Sequence, residues 1–270
     1  METISNAEFR KREGVSSSDV KGWVDAVSPK HWKHKQENLK DSTAFRFGRA
    51  LHSMLLENVV VPVFQAPMNE KTGKEYGAAT KKYTEALEAF ISEVGWDYFT
   101  TTEWAKAEVM IDSARKIAGN VLGGRGFNEM SFFGTCPDTG MTLKCRPDRI
   151  IGSTLVDVKT CGDIGIFEKS VANYNYHIQA AFYLDVFELA TGTKPKNFLF
   201  VAVEKQAPFD CAVIQLSPDY IELGRKQYRE ALKEMKQCQE SGEFPGMMNG
   251  KEVLTMTAPY WLWKQEMEEV

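Results

Sequence analysis

The sequence predicts an α/β fold with a central mixed sheet flanked by helices, and three observations support this prediction. Two apolar, β-prone runs flank Gly152-Ser153, a pair suited to a two-residue hairpin turn. A segment of helical periodicity, 174–189, follows this hairpin, and two further strand candidates, 196–205 and 209–216, follow that helix. Before residue 125 the predicted elements are mainly helices.

The composition is that of an ordinary globular protein, with 270 residues, of which 43% are hydrophobic and 26% charged. No apolar run approaches about 18 residues and the N-terminus lacks the hydrophobic segment of a signal peptide, so we expect no membrane span. The five cysteines are scattered and form no Cys-x-x-Cys pair, which argues against zinc and against an iron–sulfur cluster. They fit a cytoplasmic location.

The net charge of −4 is not typical of a protein whose whole surface binds DNA, but basic residues are concentrated locally. Between residues 30 and 52 the cations outnumber Glu37 and Asp41, and they are Lys30, Lys33, Lys35, Lys40, Arg46 and Arg49. The C-terminal tail carries Glu266, Glu268 and Glu269. A basic strip on an acidic body favours an enzyme that binds and releases a polyanion, and a solvated helix face is the alternative.

A predicted helix begins at a run of three serines, Ser16, Ser17 and Ser18. Ser16 is suited to cap a helix, because Asp19 follows three residues later in the first turn. Clustered serines at a helix N-terminus can also hold a phosphate, so both interpretations stay open.

Residues 43–57 form an amphipathic helix candidate, because apolar residues recur there at helical spacing. Gly48 and His52 are four residues apart and share a face next to the apolar stripe. A histidine in such a place is, by itself, more typical of a structural residue than of a metal ligand.

Three strand candidates follow the helical half: 128–135, 141–151 and 154–160. We expect them to form a meander of adjacent strands, since short turn signals separate them. Glu129 lies where the first of these strands begins, a position equally typical of an exposed strand-edge glutamate and of a ligand.

The hairpin register predicts a reactive site. With a two-residue turn, Asp148 lies directly opposite Asp157, with Cβ atoms about 5 Å apart, and Lys159 shares their face. Two carboxylates this close repel each other unless a divalent cation lies between them, and hard oxygen ligands favour Mg²⁺ or Mn²⁺. A lysine beside the cation can orient or deprotonate a water, or stabilise a phosphate, which suits phosphodiester hydrolysis. The alternative is a surface hairpin with ordinary charges.

Gln179 and Tyr183 are four residues apart on the helix candidate 174–189 and are therefore neighbours. An amide there can bond a metal site or a phosphate, and a tyrosine can stack on or bond a nucleic acid. The alternative is a polar pair on a half-buried helix. His177 is a further candidate for a contact with DNA.

Taken in order, these elements resemble the motifs of the PD-(D/E)XK nuclease superfamily and its RecB-like branch. Four separated elements carry the resemblance: Gly48/His52, Pro147-Asp148, Asp157-Val158-Lys159 and Gln179/Tyr183. In that branch the glycine permits close packing and the histidine reaches the metal. The ordered set is most similar to the nuclease domains of RecE-type exonuclease VIII enzymes of phages and prophages.

The resemblance implies a restriction-endonuclease-like core of the order αβββαβ. It also implies that residues 1–270 form one nuclease domain with three parts: a mainly helical part with the Gly-x-x-x-His element (1–125), the catalytic core (126–220), and a C-terminal helix and tail (221–270).

The resemblance further implies a Mg²⁺-dependent enzyme, with Mn²⁺ as a substitute, that degrades linear duplex DNA 5′→3′ to mononucleotides and leaves 3′ single-stranded tails. It implies a RecT-like single-strand annealing partner and a homo-oligomeric, tetrameric ring around DNA. The implied catalytic residues are Asp148, Asp157, Lys159, Gln179 and Tyr183. The implied metal ligands are His52, Glu129, Asp148, Asp157 and the carbonyl of Val158. We expect DNA contacts from Ser16, Ser17, Ser18, Arg46, Arg49, Arg146 and His177.

Two other functions stay open. The chain can be a different nuclease of the same fold, such as an endonuclease or a single-strand-specific enzyme. It can also be a non-catalytic DNA-binding or assembly protein that keeps the fold. The sequence contains no Gly-x-x-x-x-Gly-Lys-Ser/Thr loop, so it predicts a nuclease without a motor in the same chain.

Overall fold

The structure, a computed structural model, describes residues 2–38, 43–57, 59–259 and 262–263. The side chains of residues 43–45 lie outside this description, as do Lys40 and Asp41 of the basic strip. The acidic tail at Glu266, Glu268 and Glu269 lies outside it as well. Within the described ranges, no helix has both the length and the apolar character needed to cross a membrane.

Helices fill most of the first half of the described chain and then alternate with strands. The α-helices are α1 (Asn6–Lys11), α2 (Ser17–Asp25), α3 (Pro29–Glu37), α4 (Thr43–Leu56), α5 (Lys81–Val94), α6 (Thr101–Leu122), α7 (Phe167–Asn173), α8 (Tyr176–Thr191) and α9 (Pro218–Ser241). The strands are β1 (Val15–Ser16), β2 (Val63–Phe64), β3 (Met68–Asn69), β4 (Lys74–Glu75), β5 (Phe99–Thr100), β6 (Phe127–Asn128), β7 (Phe132–Thr135), β8 (Thr142–Cys145), β9 (Arg149–Ile151), β10 (Thr154–Cys161), β11 (Asn197–Glu204) and β12 (Cys211–Gln215).

The main sheet has five strands in the order β12-β11-β10-β9-β6. β10 and β11 are parallel, and the chain passes between them through α7 and α8, whereas the other neighbours are antiparallel. This is the mixed sheet flanked by helices that the sequence predicts. The strand pair expected at 196–205 and 209–216 is confirmed as β11 and β12.

The predicted hairpin register is confirmed over its first three pairs. Ile151 pairs with Thr154 across the Gly152-Ser153 turn, and Gly152 has a left-handed φ of 58°, which glycine adopts without steric cost. The ladder ends at Arg149↔Val156, so Asp148 and Asp157 are not backbone partners. The cross-strand contact expected between them is therefore replaced by a different arrangement around Val158.

The expected three-stranded meander is wrong, because the chain divides these segments between two sheets. β7 and β8 form a second sheet with β1, in the order β1-β8-β7, while β6 and β9 belong to the main sheet. The segment 128–135 is broken at Glu129, which has a left-handed φ of 54°. The segment 141–151 is broken between β8 and β9, where Pro147 has no amide to donate to a ladder.

Both faces of the main sheet are buried, and their side chains belong to different cores. On one face Leu155 and Phe200 join residues of α2, α8 and α9. On the other face Val156 and Val201 join residues of α4 and α6. Because side chains alternate along a strand, Asp157 and Lys159 point to the same side as Leu155, toward α2 and α8.

The packing role implied for Gly48 is a second correction. A Cβ placed on Gly48 would meet no atom within 4 Å among the residues that the structure describes. Gly224 of α9 is the position where close packing requires glycine, since a Cβ there would lie 2.3 Å from the carbonyl oxygen of His177. The close approach of helices near the site is therefore between α8 and α9.

Candidate functional site

The site is built around Val158, at the point where β10 loses its neighbour β9. The ladder ends at Arg149↔Val156, because the chain leaves the sheet at Asp148. The amide of Val158 donates to Asp148 Oδ2 at 2.6 Å, and its carbonyl lies 3.0 Å from His52 Nε2. Two side chains thus take the place of the missing strand and satisfy backbone groups that would otherwise be buried without partners.

His52, Glu129 and Asp148 each offer a ligand atom within 4.8 Å of the others, which makes them a candidate metal-binding group. Glu129 reaches this position from its left-handed turn, and its amide donates to the carbonyl of Asp148 at 3.0 Å. Such a conformation is costly for a residue other than glycine, and costs of this kind are concentrated at functional sites. Glu129 is half-buried here and is not an exposed strand-edge residue.

The pKa shifts in this group are those that a bound cation would offset at Asp148 and that leave His52 neutral. Burial and the neighbouring Asp157 raise the pKa of Asp148 well above its usual range. Burial lowers the pKa of His52, so the ring is neutral near pH 7. Since the Val158 carbonyl can only accept, the neutral ring carries its proton on Nε2. His52 Nδ1 then carries a lone pair that can bind a metal, and this nitrogen lies 3.6 Å from Asp148 Oδ2.

Asp157 is buried and is held from two sides. Its Oδ1 accepts a hydrogen bond from Gln179 Nε2 at 2.6 Å, and Lys159 Nζ lies 2.7 Å from its Oδ2. Apart from this ion pair, Oδ2 has no hydrogen-bond partner among the described residues, so this buried oxygen has acceptor capacity left. Asp157 is not a member of the 4.8 Å group, and its carboxylate is held by Gln179 and Lys159 instead.

Lys159 is a cation in this arrangement. Burial lowers its pKa, but the carboxylates of Asp157 and Asp148 more than offset burial, and the net pKa is raised. The ammonium lies 4.9 Å from the centroid of the Tyr176 ring. This pKa direction favours the orienting and charge-stabilising role predicted for Lys159 over the role of a base.

Lys21 of α2 is a functional candidate that the sequence pattern did not reveal. Its Nζ donates to Gln179 Oε1 at 3.3 Å, so one amide bonds an ammonium through oxygen and Asp157 through nitrogen. Burial and the nearby Lys159 lower the pKa of Lys21 to about 8. A signal was present in the spacing, because Lys21 lies four residues after the buried Ser17 and shares its helix face.

Tyr183 and the serine run join α8 to α2. Burial raises the pKa of Tyr183 well above its usual range, so its hydroxyl stays protonated, and it bonds the side chain of Ser17. The predicted cap is confirmed, since Ser16 Oγ accepts from the amide of Asp19 at 3.4 Å. Ser18 is exposed, and its contact with DNA stays a prediction.

Three of the predicted DNA contacts, Ser17, Arg46 and His177, are buried in the protein. Arg46 is buried, where its guanidinium donates to the carbonyl of Tyr98 and pairs with Glu103 at 2.6 Å. His177 is buried, and its Nε2 lies 2.7 Å from Gln227 Oε1. These side chains bond within the fold and do not face solvent, which argues against the predicted role.

The other two arginines lie nearer the surface. Arg49 Nε pairs with Asp97 at 2.7 Å, with 22% of its side chain exposed. Arg146 Nε pairs with Glu129 at 2.6 Å, and its Nη1 donates to the carbonyl of Ile4 at 2.8 Å. Arg146 therefore holds a candidate ligand in place, and its contact with DNA stays a prediction.

The side chains present fit a hard divalent cation. Two carboxylates and one imidazole nitrogen converge here, with the Asp157 carboxylate beside them, and oxygen donors of this kind favour Mg²⁺ or Mn²⁺. A cation would also relieve the cost of ionising Asp148 and would use the free acceptor capacity of Asp157 Oδ2. The carbonyl of Val158, also a predicted ligand, already lies within bonding distance of His52.

Comparisons with known proteins identify relatives of this fold. A family model described as "PDDEXK-like domain of unknown function (DUF3799)" matches residues 16–256. A crystal structure from Eubacterium rectale, described as a "Putative exonuclease", is 15% identical, with a TM-score of 0.65 over 97% of this chain and 98% of its own. That likeness shows a shared fold. A phage related exonuclease from Haemophilus somnus 129PT is 14% identical, with a TM-score of 0.34 over 72% of this chain and 95% of its own. No curated protein matches the chain.

Proposed function

The chain belongs to the PDDEXK-like family, and on this premise we propose that it is a nuclease that depends on a divalent metal. One observation carries the proposal. Asp148 and His52 meet at Val158, beside Asp157 paired with Lys159, at the point where a strand leaves the sheet. Such a set of buried, mutually repelling carboxylates destabilises a fold unless it serves a cation.

The chain's own groups have separate tasks in this proposal. A bound Mg²⁺ or Mn²⁺ would supply Lewis acidity and an activated water for phosphodiester hydrolysis. Its ligands would be His52 Nδ1 and the carboxylates of Glu129 and Asp148, with Asp157 Oδ2 as a further acceptor beside them. The Lys159 ammonium orients the water or stabilises the charge on the phosphate.

Gln179 and Tyr183 of α8 hold the ligands and their neighbours in position. Gln179 fixes the orientation of the Asp157 carboxylate through its amide nitrogen at 2.6 Å. The protonated hydroxyl of Tyr183 is a donor on the same helix face. We assign both to positioning, since Gln179 bonds the Asp157 carboxylate and Tyr183 bonds the side chain of Ser17.

The finer proposal is a 5′→3′ exonuclease on linear duplex DNA that leaves 3′ single-stranded tails, as in the RecE-type enzymes that the motifs resemble. The description of the Eubacterium rectale protein of the same fold as a "Putative exonuclease" supports the exonuclease part of this proposal. The same resemblance leads us to propose a tetrameric ring and a RecT-like single-strand annealing partner. Light scattering that gives the mass of a single chain at working concentrations would contradict the ring.

The decisive experiment compares linear duplexes labelled at the 5′ or the 3′ end with a closed circular duplex, each incubated with Mg²⁺, Mn²⁺ or Ca²⁺. We expect the 5′ label to be released first as a mononucleotide, with the circle intact and with Ca²⁺ supporting binding without cleavage. Cleavage of the circle would instead indicate an endonuclease. Cleavage of single strands alone would indicate a single-strand-specific enzyme.

Variants connect the activity to the site. Asp157→Asn and Lys159→Met should each lower the rate about 10²-fold or more, because they remove a ligand or a charge that acts on the reacting phosphate. Asp138→Asn and Lys226→Met change exposed residues away from the site and serve as matched controls. Full Mg²⁺-dependent activity in both site variants would overturn the assignment, and no activity with any metal in the unaltered protein would favour a non-catalytic DNA-binding role.

A further inference from the structure

Tyr174 is an exposed aromatic residue beside the site, and the mechanism above gives it no task. It is 60% exposed, and its ring stacks on that of Tyr176, with centroids 5.6 Å apart and planes at 30°. Tyr176 is the ring over which Lys159 lies at 4.9 Å, and Lys21 Nζ lies 5.7 Å from the same ring. An aromatic face open to solvent therefore continues directly into the pair of lysines.

The position of Tyr174 is fixed by its neighbours. Tyr176 packs on Phe200 of the sheet, with centroids 5.5 Å apart, which holds the ring below Tyr174 in place. Asn175, between the two tyrosines, has a left-handed φ of 51°, and its side chain donates to Asp25 Oδ1 at 2.6 Å. A residue in this conformation turns the chain sharply, so the Asn175–Asp25 bond holds the turn that presents the Tyr174 ring.

Lys21 supplies a charge next to this aromatic face. It is half-buried beside a second ammonium, Lys159, and the partner of its hydrogen bond is the neutral oxygen of Gln179 at 3.3 Å. Lys159 is already paired with Asp157 Oδ2 at 2.7 Å, whereas the hydrogen bond of Lys21 goes to an uncharged amide oxygen. A phosphate next to Lys21 would give this partly buried ammonium a charged partner.

We propose that Tyr174 and Lys21 form a nucleotide subsite next to the reacting phosphate, in which the Tyr174 ring stacks on an unpaired base and Lys21 contacts a phosphate of the same strand. The inference rests on the proposed nuclease function and narrows its substrate. A stacked base must be out of its pair, so the strand enters the site frayed or single-stranded at this nucleotide.

The test measures coupling between the ring and one base. A single abasic residue is moved along the strand near its 5′ end, and binding is measured in Ca²⁺ by fluorescence anisotropy. At one position we expect the missing base to weaken binding by the unaltered protein about tenfold, a typical value for base–aromatic stacking. Tyr174→Ala should bind about tenfold more weakly and lose this sensitivity, whereas Tyr174→Trp should keep it. The exposed Trp96, changed to alanine, is the matched control.

The phosphate contact proposed for Lys21 is tested separately. Lys21→Met should lower the salt dependence of binding by about one phosphate contact, and Lys21→Arg should restore it. Lys226→Met, an exposed lysine of α9, should leave the slope unchanged. Cleavage of DNA by a protein in which no abasic position couples to Tyr174 would overturn the subsite alone. Absence of cleavage with any metal would overturn the nuclease, and absence of DNA binding in Ca²⁺ would overturn both.

Discussion

The pair Pro147-Asp148 both limits the strand β9 and supplies a candidate metal ligand. Pro147 has no amide for the ladder, so β9 begins only after it, and Asp148 is left beside the unpaired edge of β10. There its Oδ2 accepts from the amide of Val158 at 2.6 Å. The carboxylate is thereby fixed by the backbone of the strand that carries Asp157 and Lys159.

The charge on Asp148 leads to a prediction about stability. Burial and Asp157 raise its folded-state pKa above the unfolded value of about 3.9, so the ionised carboxylate costs free energy in the fold. Asp148→Asn keeps an acceptor for Val158 and removes the charge. At pH 7 without divalent ions we expect stability to rise by on the order of 1 kcal/mol, roughly 2–4 °C in Tm, while activity is lost.

The gain in stability expected for Asp148→Asn depends on pH. For a raised carboxyl pKa, the penalty is absent below the unfolded pKa and grows as pH rises toward the folded value. The gain in Tm for Asp148→Asn should therefore vanish near pH 3 and appear at neutral pH, as measured by thermal unfolding in EDTA. Mg²⁺ should raise the Tm of the unaltered protein more than that of the variant. A variant less stable than the unaltered protein at pH 7 in EDTA would contradict the argument.

Gln179 leads to a prediction about activity. Gln179→Met leaves Asp157 Oδ1 without its bond at 2.6 Å and Lys21 without its acceptor. Groups that orient metal ligands in this way typically contribute about 10–100-fold to metal affinity or activity. We expect a loss in that range, with a higher Mg²⁺ concentration for half-maximal rate. Gln239→Met on the exposed part of α9 is the control, and an unchanged Mg²⁺ requirement would contradict the positioning role.

At the scale of elements, the features that could be predicted from the sequence are those set by neighbouring residues, such as turns and helix starts. Gly152-Ser153 specified the hairpin and its register, and Ser16 with Asp19 specified the start of α2. The division between two sheets was not predictable in this way. The tertiary contacts of Glu129 break the segment 128–135. Pro147 is a local signal for the break in 141–151, but it does not indicate that the two halves join different sheets.

Contacts between residues that are distant in the sequence also explain why one site residue was not predicted and why two residues predicted to contact DNA are buried. Lys21 is 158 positions from Gln179 in the sequence, and only the packing of α2 on α8 brings them together. Arg46 and His177 were predicted to contact DNA, but each is buried and bonds a side chain that is distant in the sequence, Glu103 and Gln227 respectively.

The contact between α8 and α9 leads to a prediction about two glycines. In Gly224→Ala the new Cβ would lie 2.3 Å from the backbone oxygen of His177, so the helices must separate. We expect a loss of about 3 kcal/mol or more in the free energy of unfolding. Gly48→Ala adds a Cβ that meets no atom within 4 Å in the described part of the chain, so it should instead stabilise the fold by about 0.5–1 kcal/mol, because alanine is the better helix former.

Urea unfolding of the two glycine variants measures both values. Equal destabilisation by Gly48→Ala and Gly224→Ala would mean that the space next to Gly48 is filled in the folded protein. A stable Gly48→Ala variant with weaker DNA binding would instead place DNA over this face of α4.

At the scale of the whole molecule, the distribution of charge determines how DNA can approach. The chain carries a net charge of −4, and the site itself contains Glu129, Asp148 and Asp157. A phosphate that enters without a cation meets carboxylates in a medium of low dielectric, where each close charge costs on the order of 1 kcal/mol or more. Lys21 and Lys159 offset only part of this repulsion.

We therefore predict that DNA binding depends on the cation and not on the protein's overall charge. In EDTA the unaltered protein should bind a labelled duplex at least about tenfold more weakly than in Ca²⁺, since the cation compensates the carboxylates. The double variant Asp148→Asn/Asp157→Asn should bind DNA more tightly than the unaltered protein in EDTA and should no longer respond to Ca²⁺. The control Asp138→Asn/Glu93→Gln removes the same charge from exposed positions, so it should change binding little at about 0.1 M salt and should keep the response to Ca²⁺. If the control strengthened binding in EDTA as much as the site variant, net charge rather than the site would govern the approach of DNA.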